Sequence, residues 1–274
     1  MAAFDLDTYV ERSRAVDLSA IDWAEVPRYP VPPETLRTLR YMQDIESHTI
    51  IYLRSLLATR AIDDPEVSTF LACWLYEETF HGIALARFLE AAGAPLPPRA
   101  TPRGQESMAK RIEAAATAMV SKAWPDFCAV HMTWGAINEL TTLTGYRRLA
   151  LVSPHPVLND LLDRIVLDES RHFFFYYRQA ETRLRRPGAA WVARRLVDHF
   201  WAPVGSGVGT VDDLVFLARY LFAGDEGRAA ARKVDDTIRK LPGFERAPLL
   251  EAWMDRYVRP VDGLHGGRNG HALN

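Results

Sequence analysis

Cysteine is nearly absent. The 274 residues hold only two, Cys73 and Cys128, with no motif spacing between them. That excludes a disulfide-stapled scaffold and a thiolate metal cluster, and it predicts two core thiols in a reducing cytoplasm. Long hydrophobic runs are missing too. The longest stretch without Asp, Glu, Lys or Arg is His199–Val211, 13 residues that include a proline and three glycines. A membrane span needs about 18 or more apolar residues, so none is expected. Neither sign of charge dominates: 33 basic against 35 acidic residues leave a net −2, which gives no support to nucleic-acid binding. The opening Met-Ala-Ala-Phe-Asp-Leu-Asp has no basic region before an apolar one, so no signal peptide is expected. No convincing strand alternation appears.

What is present is helical periodicity, nearly throughout, in a chain long enough to bury a substantial core. Residues 1–30 read as a short amphipathic start and an irregular arm, ended by Arg28-Tyr-Pro-Val-Pro-Pro33. Helices are expected near 34–60, 65–92, 105–123, 127–151 and 156–185. Shorter ones follow near 189–200, 211–223, 225–240 and 246–258, divided by Pro- and Gly-rich breakers. The expected fold is all-α. It is one domain over 1–264, a four-helix bundle core at about 34–185 with an N-terminal arm and added C-terminal helices at about 189–260. The tail 265–274 is expected to be disordered.

Two phrases carry the chemistry: Glu78-Thr-Phe-His81 and Glu169-Ser-Arg-His172. Each follows a lone glutamate by about one helical hairpin, Glu46 by 32 residues and Glu139 by 30. The order Glu, Glu-x-x-His, Glu, Glu-x-x-His is the ligand pattern of a dinuclear site in a ferritin-like bundle. The 61 residues from Glu78 to Glu139 leave room for the long crossover such bundles have. Glu-x-x-His alone is a weak signal, since 16 Glu and 8 His give about half a chance match in such a chain. The surroundings add weight. On their helix faces Glu78 has Trp74 and Leu75, Glu139 has Ala136 and Leu143, and Glu169 has Ile165, Val166 and Phe173. Glu46 has a more mixed stripe, with Met42, Ile50 and Leu53 but also Gln43 and Thr49.

A carboxylate facing a core must be neutralised, paired or metal-bound. Pairing with buried Arg or Lys is the alternative, but those residues are scarce on these faces. Four carboxylates balance two ferrous ions, and neutral His81 and His172 complete the set. Carboxylate and imidazole suit iron, with manganese as a substitute. Asp168, just before Glu169, is placed to receive the outer N–H of a metal-bound histidine on a facing helix, His81 above all; a solvated Asp is the alternative. Thr142, one turn after Glu139, either turns its hydroxyl toward bound O2 as a proton donor or bonds back to its own helix.

Trp74-Leu-Tyr-Glu77-Glu78-Thr-Phe-His81-Gly82 resembles the Trp-x-x-Glu-Glu-x-x-His-Gly segment of the soluble acyl-carrier-protein desaturases, and Asp168-Glu169-Ser-Arg171-His172 resembles their Asp-Glu-x-Arg-His segment. Thr142 resembles the oxygen-side threonine of that family, Trp23 its upstream electron-transfer tryptophan, and Phe200-Trp-Ala-Pro203 a Phe-x-x-Pro segment. The resemblance covers about residues 20–210. It implies a homodimeric bundle with a di-iron centre that uses O2 to desaturate an acyl chain held on acyl carrier protein, with electrons from a ferredoxin-like donor. The flanks of Glu46 and Glu139 depart from the family, which bears on substrate more than on metal. Two rival readings stay open. One is hydroxylation or N-oxygenation of a small metabolite on the same core; the other is ferritin-like metal binding or storage.

Features bearing on substrate are ambiguous from sequence. Phe173–Tyr177 is five consecutive aromatics that pack or line a channel. Gly135, a turn before Glu139, makes room beside the metal or for a neighbouring helix. Six arginines against one acid over residues 178–195 form either a docking face for an acidic partner or a solvated face. Gly205-Ser-Gly207-Val-Gly209 lacks the spacing and the preceding strand of a dinucleotide loop.

Overall fold

The structure is a computed structural model that describes residues 4–96, 127–205 and 210–258. The expected helix at 105–123, the tail 265–274 and most of the glycine-rich loop lie outside these residues.

The described chain is all-α. It contains α1 (Leu6–Arg12), α2 (Pro33–Leu57), α3 (Pro65–Ala91), α4 (Cys128–Val152), α5 (Pro156–Arg183), α6 (Ala189–Phe200), α7 (Val211–Phe222), α8 (Gly224–Ile238) and α9 (Leu250–Tyr257). Two 3-10 turns, Trp23–Arg28 and Arg60–Asp63, link the early helices. No strand occurs among the described residues. Prolines open α2, α3 and α5 at their first turn, where a missing N–H costs no helical hydrogen bond. The side chains of Asp64 and His155 cap α3 and α5, each accepting from backbone N–H groups of the first turn. Thr210 and Asp213 form a reciprocal capping box at α7.

The last helix starts at Leu250 rather than near 246. Pro248 disfavours helical backbone at the residue before it, and Phe244, Ala247 and Leu249 are instead buried in the turn. One residue of the Glu46 stripe also falls elsewhere: Ile50 is 52% exposed, and the buried side of α2 continues through Thr49 and Leu53.

Helices α2 and α3 pair, α4 and α5 pair, and α3 meets α5, closing a four-helix bundle. Its core is two apolar clusters. One holds Leu53, Phe70, Trp74, Met132, Ile137 and Phe175; the other holds Leu39, Met42, Leu85, Tyr146, Leu158 and Ile165. Along every bundle helix the change from one cluster to the other falls at the candidate ligands: after Met42 and before Leu53, after Trp74 and before Ala84, after Ile137 and before Tyr146, after Ile165 and before Phe175. A polar layer thus crosses the middle of an otherwise apolar bundle. No helix among the described residues is long and apolar enough to cross a membrane.

Candidate metal centre

That layer contains Glu46 from α2, Glu78 and His81 from α3, Glu139 from α4, and Glu169 and His172 from α5. All are buried; His81, Glu169 and His172 are fully so. The six form two overlapping groups. Glu46, Glu78, His81 and Glu169 bring one ligand atom each within 4.8 Å of one another, and so do Glu78, Glu139, Glu169 and His172. Glu78 and Glu169 belong to both.

The inward-facing atoms lack partners. Glu46 Oε2, Glu78 Oε1, both oxygens of Glu169 and the Nδ1 atoms of His81 and His172 are buried without a hydrogen bond. His81 Nδ1 lies 3.3 Å from Glu169 Oε1 and 3.9 Å from Glu46 Oε2. His172 Nδ1 lies 3.1 Å from Glu78 Oε1, 3.7 Å from Glu139 Oε2 and 3.9 Å from Glu169 Oε2. Buried polar atoms in folded proteins almost always find partners, so six orphans converging on two points mark positions for cations. Ligand bonds of about 2.0–2.2 Å would set neighbouring donors about 3 Å apart, close to these spacings. The residues therefore fit a pair of metal ions.

The outer atoms are fully engaged. His81 Nε2 lies 3.1 Å from Asp168 Oδ2, and His172 Nε2 lies 2.7 Å from Glu77 Oε2. Each carboxylate fixes its imidazole with Nδ1 turned inward. Arg171 donates one nitrogen to both, at 3.0 Å to Glu77 and 2.6 Å to Asp168. Tyr9 from α1 donates its hydroxyl to Glu77 Oε2 at 2.7 Å. On the other side Tyr146 donates its hydroxyl to Glu46 Oε1.

The electrostatics follow. Burial raises the carboxyls of Glu46, Glu78 and Glu139, and the neighbouring glutamates raise them further. Burial also raises Glu169, but His172 and His81 beside it outweigh that and hold it at about 2. Glu77 behaves alike: burial raises it, while His172, Tyr9 and Arg171 bring it to about 2. Burial lowers the two imidazoles, and the carboxylates around them reverse the effect, so both sit well above the ordinary value. Without metal, protons hold the charge balance that cations would otherwise supply.

Thr142 lines an apolar cavity of about 80 Å³ beside the centre, together with Glu46, Tyr146, Met42, Pro203 and side chains of α7 and α9. Its neighbours Thr141 and Thr144 bond back to their own helix carbonyls; among the described residues no such bond of Thr142 is found. Gly135 does not leave free space, because a Cβ there would lie 2.3 Å from the ring of Tyr176. In the aromatic run, Phe175 stacks on Phe70 with centroids 3.8 Å apart, and Tyr176 stands edge-on to Trp74 at 5.8 Å; this is packing. Much of the arginine-rich stretch is paired within the chain, Arg178 and Arg185 with Glu181, Arg183 with Asp64, and Arg194 with Asp198. Trp23 packs on the second core cluster under the guanidinium of Arg87, 4.6 Å from its ring centroid. Cys73 and Cys128 are free thiols.

Sequence reasoning assigns no role to Glu77, Arg171, Tyr9 or Tyr146. For Glu77 a signal exists. Asp168 precedes Glu169 as Glu77 precedes Glu78, so each helix reads acid, ligand Glu, two residues, ligand His. Each acid serves the histidine of the other helix. Comparison of the chain with family models, curated proteins and solved structures returns no match in any of the three.

Proposed function

We propose that this chain is an O2-activating non-haem di-iron oxidase that desaturates an acyl chain. The observation that carries the reading is the doubled ligand set sharing Glu78 and Glu169, with at least one orphaned atom on each of its members except Glu139. All-oxygen and imidazole donors suit iron, and manganese as a substitute. Such a pair, when bound, would deliver electrons to O2 and cleave its O–O bond.

The chain's own residues do the rest. Asp168 and Glu77 hold the imidazoles, and Arg171 neutralises part of their charge. The apolar wall from Met42, Leu217, Leu221 and Phe222 suits an aliphatic chain, whose C–H bonds offer nothing to hydrogen-bond. Thr142 shares the lining of that cavity with Glu46, which supports a role for its hydroxyl as a proton donor. Desaturation takes two hydrogens from adjacent carbons while O2 becomes two waters. The two further electrons and two protons come from outside, from a ferredoxin-like donor and solvent. The resemblance alone supports acyl carrier protein as the substrate's carrier and a homodimer as the assembly.

The test is anaerobic ferrous loading, then O2 with a panel of acyl-carrier-protein substrates and mass spectrometry of the products. Two irons per chain and a product lighter by two hydrogens are expected. A product that gains oxygen favours the hydroxylase reading. Folded protein that takes up no iron removes the metal reading, and elution as a large shell points to storage.

A further inference from the structure

We propose that Tyr146 is a positioning residue that confines Glu46 to one-oxygen coordination, leaving the metal position shared by Glu46 and His81 more open than its neighbour, on the side that meets the apolar cavity. The inference rests on the two-metal part of the reading above.

Glu46 presents two unlike oxygens. Oε1 accepts the hydroxyl of Tyr146, while Oε2 is buried without a partner and lies 3.9 Å from His81 Nδ1. Tyr146 is fully buried, and its ring sits in the second apolar cluster. For Glu46 to chelate an ion through both oxygens, Oε1 would have to serve the phenol and the ion at once, one lone pair to each, whereas Oε2 has no other claim on it. A charge-assisted O–H bond also draws electron density from Oε1, leaving it the poorer donor to a cation.

Glu139 differs. Its carboxyl pairs with Glu169, another ligand of the same cluster, and its Oε2 lies 3.7 Å from His172 Nδ1; no phenol bound to it is found among the described residues, so an ion that replaces the proton shared with Glu169 can draw on both of its oxygens. The two lone glutamates are therefore not equivalent, although their spacings in the chain nearly match. Tyr146 stands seven residues after Glu139, two turns along the same face of α4. One helix thus supplies a ligand to one metal position and a constraint on the other. The cavity is also one-sided: Glu46, Thr142 and Tyr146 line it, whereas Glu139 and His172 do not. The position with fewer protein donors is the one a cavity-bound molecule meets.

The experiment uses Co2+ as a spectroscopic probe on the full chain. Metal-free protein and Tyr146→Phe are titrated anaerobically and followed by ligand-field absorption, with metal content per chain and circular dichroism alongside. The variant should still bind two ions. One of the two cobalt signals should lose intensity, because these bands weaken as coordination number rises, while the other stays unchanged. Identical wild-type and variant spectra would overturn the proposal and leave the two-metal reading intact. An equal change in both signals would also overturn it, since the phenol would then act on the centre as a whole. A wild-type chain that takes up no cobalt removes both. Should the variant fail to fold, a crystal structure of the cobalt-loaded wild type decides: Glu46 bound through Oε2 with Tyr146 on Oε1 supports the assignment, and a chelating Glu46 ends it.

Discussion

Around His81, the outer imidazole nitrogen meets Asp168, the lone glutamate is tied by Tyr146, and an apolar cavity adjoins. Around His172, the outer nitrogen meets Glu77, the lone glutamate pairs with Glu169 instead of a phenol, and α1 closes over the shell through Tyr9. The parts correspond one to one, and Arg171 joins the two acids across the middle. What differs is what lies outside: a space on one side, packed chain on the other. A near-symmetric ligand set can thus sit between unlike surroundings, with a cavity against one half only.

The largest expected effect breaks the comparison outright. Glu169 offers an atom to both groups, so Glu169→Ala should lower metal content at both positions together, to well under half of wild type by metal analysis. Loss of one ion alone would show that the residue is not shared. The next pair separates the halves. Asp168→Asn should weaken binding at the His81 position and Glu77→Gln at the His172 position, each by about 10- to 100-fold. Titration should show one phase displaced in each variant; displacement of both phases by either would dissolve the distinction.

Acidity should move both halves together. His81 and His172 titrate above 6.5 in the metal-free protein. Their protonated form contributes stability that is fully present below 6.5 and lost as pH rises through the raised values. Glu77 and Glu169 act oppositely: lowered to about 2, they contribute above 4.5 and lose it as pH falls toward 2. Metal must displace the imidazole protons and those on the raised carboxyls of Glu46, Glu78 and Glu139. The rise in Tm caused by saturating metal should therefore be larger at about pH 8 than at about pH 6, as read by differential scanning fluorimetry. A constant increment would mean that no protons are released.

Smaller changes probe the packed side. Gly135→Ala drives a methyl group into the ring of Tyr176 and should cost about 1–3 kcal/mol in denaturant unfolding. Tyr9→Phe removes one hydrogen bond to a buried carboxylate and should cost about 1–2 kcal/mol, with the His81 position unaffected in metal titration.

The helices were legible because each ligand helix has a proline or a breaker at its ends and an apolar stripe along its length. The six candidate ligands were legible because a carboxylate on an apolar face demands an explanation, and the spacing supplied one. Glu77 was legible in principle from the repeated acid before each ligand glutamate. Tyr9 and Tyr146 were not, since each reaches its acceptor across 68 and 100 residues of chain, and a phenol on a helix reads as ordinary core. Gly135 was equivocal because space beside a site and space for a ring leave the same mark in a sequence. Ile50 misled because an exposed isoleucine on a helix is indistinguishable from a buried one until neighbours are placed.

Tyr9 has one more consequence, in the order of events during synthesis. Helix α1 emerges first, yet its acceptor on α3 and that acceptor's imidazole partner on α5 are made much later. Phe70 and Glu77 of α3 offer the opening segment a surface early, but the imidazole that shares Glu77 with Tyr9 is missing until residue 172 has been translated. Protection of α1 from protease should therefore be complete only when both α3 and α5 are in place, which makes it a readout of the His172 side. A change that unseats α1 therefore acts on the Glu77–His172 pair rather than on a dispensable segment.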